Sequence, residues 1–215
     1  MHKVRSISLE IFSDPICPWC YIGYTYLERA LQQVADHPFD IQWRTFQLNP
    51  DMPADGVDRQ TYLVEKFSGP LGASNAYAGV RKHVLESKIA MNLSKIQRTP
   101  NTLNAHRLLF WAAHESKQNE IANGLFEAYF VEGRDIGRDE VLVEIANKAG
   151  FDFILIKRLL ASDCDVELVS QQHESAHNLG VQSVPTFVLS KKHGFSGAQP
   201  TEKWLRLIEA ITKDM

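Results

Sequence analysis

Phe12-Ser13-Asp14-Pro15-Ile16-Cys17-Pro18-Trp19-Cys20-Tyr21-Ile22-Gly23 carries two cysteines two residues apart at the point where one periodic pattern gives way to another. Upstream, residues 6–13 place Ile7, Leu9 and Ile11 at every second position, with Phe12 added, which predicts a short buried strand. Asp14-Pro15 breaks it. Downstream, from Pro18 to about residue 35, Leu27, Ala30, Leu31 and Val34 share one helical face, and Pro38 closes the segment. Residues 39–48 alternate again through Phe39, Ile41 and Trp43, giving a second strand and so a βαβ unit.

The chain then changes character. Residues 49–56 read as a loop, and helices are expected at about 59–68, 72–88, 100–117, 119–131, 138–149, 152–162 and 165–179. Asn101-Thr102 after Pro100 marks one start, and Gly150 and Gly180 mark two stops. Strand pattern returns at residues 184–190, entered at Pro185. Residues 191–194 are read as a hairpin turn, Phe195-Ser196 as a short partner strand, and Pro200 as the first position of an amphipathic helix over 201–213. The order is β-α-β, a helical block, then α-β-β-α. Without the block this is the thioredoxin order. The expected architecture is therefore α/β: a mixed four-stranded sheet with helices on both faces, in which residues 1–50 and 164–215 form a thioredoxin-like core and 51–163 an inserted, all-helical lid.

Composition narrows the function classes. The 215 residues include 23 basic and 26 acidic side chains, a formal net charge of -3, too balanced for a nucleic-acid binder. No stretch of about 18 apolar residues predicts a membrane span. Glu10 and Asp14 interrupt the only apolar run near Met1, so no leader is read and a cytoplasmic location is expected. Three cysteines, Cys17, Cys20 and Cys164, are too few for a disulfide scaffold, and a lone close pair fits a redox dithiol better than a zinc site, which commonly uses a second pair.

Thiol–disulfide exchange needs a thiolate and a second thiol within reach. Cys17 falls at the helix N-terminus, where unpaired N–H groups favour negative charge on sulfur. Pro18, which lacks an N–H, supports that first helical position. Cys17 is thus the expected exposed nucleophile, Cys20 the sheltered resolving thiol one turn on, and Trp19 an apolar substrate contact at the open rim. Val184-Pro185 opens the late strand. A cis bond is expected there, with the Val184 backbone able to pair with an extended substrate; an ordinary edge-strand proline is the alternative.

These segments, together with Ala105-His106-Arg107-Leu108, Val184-Pro185-Thr186-Phe187 and Ser196-Gly197-Ala198-Gln199-Pro200, resemble the DsbA-like superfamily and more closely its FrnE-like branch, over nearly the whole chain. The resemblance implies dithiol–disulfide chemistry on protein or small-molecule thiols and disulfides. No bound cofactor or metal is expected; the redox-active Cys17–Cys20 couple carries electrons as the dithiol and gives them up on forming its disulfide, with glutathione as electron partner. Reductase or disulfide isomerase activity is expected over bulk oxidation, because a reducing cytosol would keep the pair reduced. Two other functions are compatible: a glutathione-dependent isomerase of the 2-hydroxychromene-2-carboxylate type, whose members present serine at the position of Cys17, and a non-catalytic chaperone or binding module. Many relatives keep a buried carboxylate six positions before the first cysteine. That position is Ile11 here, and Glu10 should face the other way. His106 is read as a hydrogen-bonded structural histidine over a general base, Asn101-Thr102 as a helix cap, residues 196–199 as a turn, and Cys164 as an inert thiol disfavoured by Asp163 and Asp165.

Overall fold

The computed structural model describes residues 6–213; the leader reading at Met1 to Arg5 lies outside them. Strand β1 (Ile7–Ser13) pairs in parallel with β2 (Phe39–Thr45) and antiparallel with β5 (Thr186–Leu189), which pairs antiparallel with β6 (His193–Ser196). The sheet order is β2-β1-β5-β6. The alternation seen in the sequence becomes a row across the strands: Ile11 lies opposite Trp43 on one side and Phe187 on the other, and all three are buried.

Helix α1 (Pro18–Gln33) buries Ile22, Leu27 and Ala30 completely, one side of a 3.6-residue period. Helix α9 (Thr201–Lys213) packs beside it and inserts Trp204, whose ring meets Phe187 edge-on at 4.9 Å. Between β2 and the late strands lie α2 (Arg59–Lys66), α3 (Pro70–Glu86), α4 (Leu103–His114), α5 (Gln118–Phe126), α6 (Asp139–Lys148) and α7 (Phe153–Leu160), and then α8 (Val166–Asn178), which packs with α4 against β2. This stretch also holds a two-stranded ribbon, β3 (Val57–Asp58) with β4 (Arg98–Thr99), which the sequence reading passed over because two-residue strands carry no period.

Several boundaries shift for local reasons. Residues 127–132 continue α5 as a π-helical segment, stopped at Gly133 with φ 76°. A Cβ there would stand 2.5 Å from the Lys95 Cβ, so only glycine fits. The β5–β6 turn uses positive φ at Ser190 and Lys191, not at Gly194, so β6 begins at His193, two residues before the expected partner strand. The Pro200 carbonyl accepts from the N–H groups of Lys203 and Trp204 at 3.0 and 3.3 Å, so Pro200 stands before α9 and not at its first position. Thr102 does not cap α4 through its side chain; the Asn101 side-chain oxygen accepts from the Leu103 N–H at 2.9 Å, and Asn101 Nδ2 donates to the Met52 carbonyl.

The return from the helical stretch to α8 hangs on one side chain. Arg107 of α4 is 1 % exposed and donates to the carbonyls of Leu159, Ser162 and Cys164, collecting acceptors that the end of α7 leaves open.

Candidate active site

Cys17 stands immediately before α1 in extended conformation, with its N–H bonded to the Asp14 carbonyl at 2.9 Å. Its own carbonyl accepts from Cys20 and Tyr21, starting the helix, and Pro18 takes the first helical position as expected. Both thiols of the pair are free. Cys20 is buried, and burial pushes its thiol well above the ordinary range. The hydrogen bond with Cys17 and the charge of Cys17 add to that, while the Ser13 hydroxyl and the Asp14 N–H act the other way.

The expected openness of Cys17 does not hold. It is 5 % exposed. Its Sγ lies 3.7 Å from the Val184 carbonyl oxygen, and the Val184–Pro185 peptide bond is cis. The Pro185 carbonyl accepts from the Gly197 N–H at 2.8 Å, which ties residues 196–199, a turn, to the proline loop. Gly23 of α1 lets both approach: a Cβ there would stand 3.1 Å from Pro185 Cγ and 3.3 Å from the Ala198 Cα.

Trp19 departs from expectation too. Its ring is half-buried against α3, edge-on to His83 at 5.0 Å, and a Cβ on Gly79 would stand 3.5 Å from it. Two further tyrosines of α1 hold this cover down. Tyr21 donates to the Ala90 carbonyl at 3.1 Å and stacks on Phe130, and Tyr26 bonds the Ser87 hydroxyl.

Asp14, read in the sequence only as a strand breaker, is the buried carboxylate of this site. It is fully enclosed, three residues before Cys17. One carboxylate oxygen accepts from the Ile16 N–H at 3.1 Å, the other from the Leu48 N–H at 2.7 Å and the Thr102 hydroxyl at 3.5 Å. Burial outweighs these bonds and the charge of Lys66, and raises its pKa to about 6. The available signal was an acidic residue inside the apolar run from Ile11 to Ile16. Glu10 pairs instead with Arg44 at 2.5 Å.

The remaining candidates fall elsewhere. His106 is 1 % exposed; burial, then the neighbouring His173, lower its pKa to about 3 despite the Phe46 carbonyl, and its Nε2 has no partner. Cys164 is exposed, and its thiol, donating to Asp165 at 3.1 Å, is pushed up by that bond. Among the described residues, no three His, Cys, Asp or Glu side chains converge to hold a metal, and no helix is long and apolar enough to cross a membrane.

A family profile, the DSBA-like thioredoxin domain, matches residues 8–209. The chain belongs to the DsbA-like thioredoxin family. Among solved structures it is similar to the probable DsbA oxidoreductase SCO1869 from Streptomyces coelicolor, with 28 % identity, 97 % of this chain and 91 % of that one covered, and a TM-score of 0.82. The cytosolic disulfide reductase DsbM from Pseudomonas aeruginosa, solved with GSH, matches at 16 % identity over 96 % of this chain and 99 % of that one, TM-score 0.69. A 2-hydroxychromene-2-carboxylate isomerase matches at 15 % identity over 96 % and 95 %, TM-score 0.70. The last two likenesses show the fold.

Proposed function

We propose that this DsbA-like protein is a thiol–disulfide oxidoreductase acting as a reductase or disulfide isomerase, with Cys17 as nucleophile and Cys20 as resolving thiol. The observation that carries the reading is the placement of the pair. Both thiols are buried, but Cys17 stands at a helix N-terminus with its sulfur facing the Val184 carbonyl, while Cys20 lies one turn inside α1, where burial and the neighbouring Cys17 disfavour its ionisation. The Cys17 thiolate attacks one sulfur of a substrate disulfide, forming a mixed disulfide and releasing the other sulfur as a thiolate, which takes up a proton. Cys20 gives up its proton and attacks Cys17, releasing the second substrate thiol and leaving a Cys17–Cys20 disulfide. Two equivalents of a small thiol, glutathione being the expected one, then reduce that disulfide and leave as their own disulfide. Val184 supplies backbone for an extended substrate, and Trp19 an apolar contact once the α3 cover yields. Residues 51–163 act as that cover.

The test is insulin reduction with glutathione as donor. Cys17→Ser is expected to abolish it, and Cys20→Ser to accumulate mixed disulfides through Cys17. Full activity in Cys17→Ser would reject the assignment. The likeness to the chromene-carboxylate isomerase supports a second reading, glutathione-dependent isomerisation; activity of that kind surviving loss of both thiols would establish it.

A further inference from the structure

Strand β2 is an edge of the sheet. In its parallel pairing with β1 only alternate residues carry the ladder bonds. The Ile7 N–H bonds the Pro38 carbonyl, so Asp40, Gln42 and Arg44 face β1 with their backbone, and Phe39, Ile41 and Trp43 face outward. The outward side is closed at both ends by side chains. The Phe39 N–H bonds His37 Nδ1 at 3.3 Å. At Trp43 the Gln118 amide replaces a peptide group: its Oε1 accepts from the Trp43 N–H at 2.9 Å, and its Nε2 donates to the Trp43 carbonyl at 3.2 Å. That double exchange with one residue is what an antiparallel neighbour would make. Nε2 also donates to the Leu109 carbonyl at 3.1 Å, which anchors the amide to α4.

Between these caps the Phe39 carbonyl and both the N–H and the carbonyl of Ile41 find no partner among the described residues. Phe39 and Ile41 line a groove of about 510 Å³, whose walls include Leu31, His37, Ala113 and Ser116. That volume is within the usual range of binding pockets. The groove shares no lining residue with the dithiol or the proline loop. An open strand edge in a recess is completed by another peptide backbone, whose donors and acceptors repeat at the same spacing. The side chains are equally particular. Ile41 shares a face with the buried Phe39 and Trp43, while Asp40 is exposed in the groove on the other face and belongs to none of the ion pairs among the described residues.

We propose that the β2 edge from Phe39 to Ile41 binds an extended segment of another protein by antiparallel strand addition, with the Gln118 amide standing where the added strand would otherwise continue. The residue opposite Ile41 exchanges both backbone bonds with it, and the residue two further on donates its N–H to the Phe39 carbonyl. The first of these places its side chain beside Ile41 and is apolar. The residue after it lies opposite Asp40 and is basic; the residue before it lies opposite Gln42 and is polar. A second copy of this chain fits less well. Pairing β2 with β2 about Ile41 would set Phe39 of one copy opposite Trp43 of the other, a place that Gln118 already holds. The site stands apart from the dithiol and does not depend on Cys17 being the exchanging sulfur.

The experiment titrates the isotope-labelled protein with a capped tetrapeptide of threonine, valine, lysine and threonine, in that order, up to about 5 mM, followed by NMR. The Ile41 backbone amide and the Gln118 side-chain amide are expected to shift and saturate together. N-methylation of the valine removes the N–H that meets the Ile41 carbonyl and should weaken binding about ten-fold. Glutamate in place of the lysine should weaken it a few-fold. Ile41→Pro removes the outward N–H and leaves the ladder bonds of its neighbours, so it should weaken binding about ten-fold with insulin reduction unchanged. No saturable shift in the unmodified protein, or equal binding of the N-methylated peptide, overturns the site. Equal binding of the glutamate peptide overturns the basic residue in the proposed class. An Ile41 shift that follows protein concentration without peptide would give the edge to a second copy and overturn the proposal. If Ile41→Pro does not fold, the N-methylated peptide decides the matter.

Discussion

Asp14→Asn should change how stability depends on pH, in a direction and size that the structure sets. Burial raises the Asp14 pKa from 3.8 to about 6, so the folded protein holds this proton more tightly than the unfolded chain does. A raised carboxylate contributes stability that is fully present below the unfolded value and is lost as pH climbs through the folded one. The shift corresponds to about 3 kcal/mol, lost between about pH 4 and 7. The asparagine cannot titrate, so that loss disappears. Its single oxygen can accept from only one of the Ile16 and Leu48 N–H groups, which adds a pH-independent penalty of about 1–3 kcal/mol. His106, lowered to about 3, works in the opposite sense, since its stabilising contribution is lost as pH falls from 6.5; it is present in both proteins and cancels from their difference. The assay is urea unfolding of both proteins by tryptophan fluorescence in steps from about pH 4 to 7.5. The variant should gain about 3 kcal/mol on the parent across that range. A difference constant to within ~0.5 kcal/mol would refute the assignment of Asp14 as an enclosed carboxylate without a counter-ion.

Replacing His106 by Gln should leave insulin reduction intact and flatten the loss of stability between about pH 6 and 4, read by the same titration; a large fall in activity would make His106 part of the chemistry. Gly23→Val should lower the melting temperature by several degrees and slow thiol exchange, because even its Cβ meets Pro185 Cγ at 3.1 Å; unchanged exchange would mean that the proline loop tolerates displacement. Arg107→Met should destabilise by about 3–5 kcal/mol, since the carbonyls at the end of α7 and at Cys164 lose their shared donor; denaturant unfolding gives the number, and a cost under ~1 kcal/mol would show that water replaces the guanidinium.

What the sequence disclosed was what short-range chemistry controls. Asp14-Pro15 ends β1, Pro18 starts α1, and the two-residue alternation around Ile11 and Trp43 survives as a buried row. The dithiol and the Val184–Pro185 turn were legible because each carries a local backbone signature. The concealed part depends on segments far apart in the chain. Cys17 looks open from its own neighbourhood and is buried, with its sulfur against the distant Val184 carbonyl. Trp19 looks like a rim residue and rests on His83. Asp14 reads as a strand breaker until Leu48 and Thr102 enclose it.

The pairing of β1 with both β2 and β5 has a consequence for the growing chain. Ile11 meets Trp43 early in synthesis, but its other neighbour, Phe187, is added only after more than three-quarters of the polypeptide has been synthesised. Until then the Val184 carbonyl that faces the Cys17 sulfur does not exist, and the nascent half-sheet presents an unpaired edge beside that thiol. Translation speed and the redox state around the ribosome therefore bear on how this protein matures, through a vulnerability that its finished structure no longer displays.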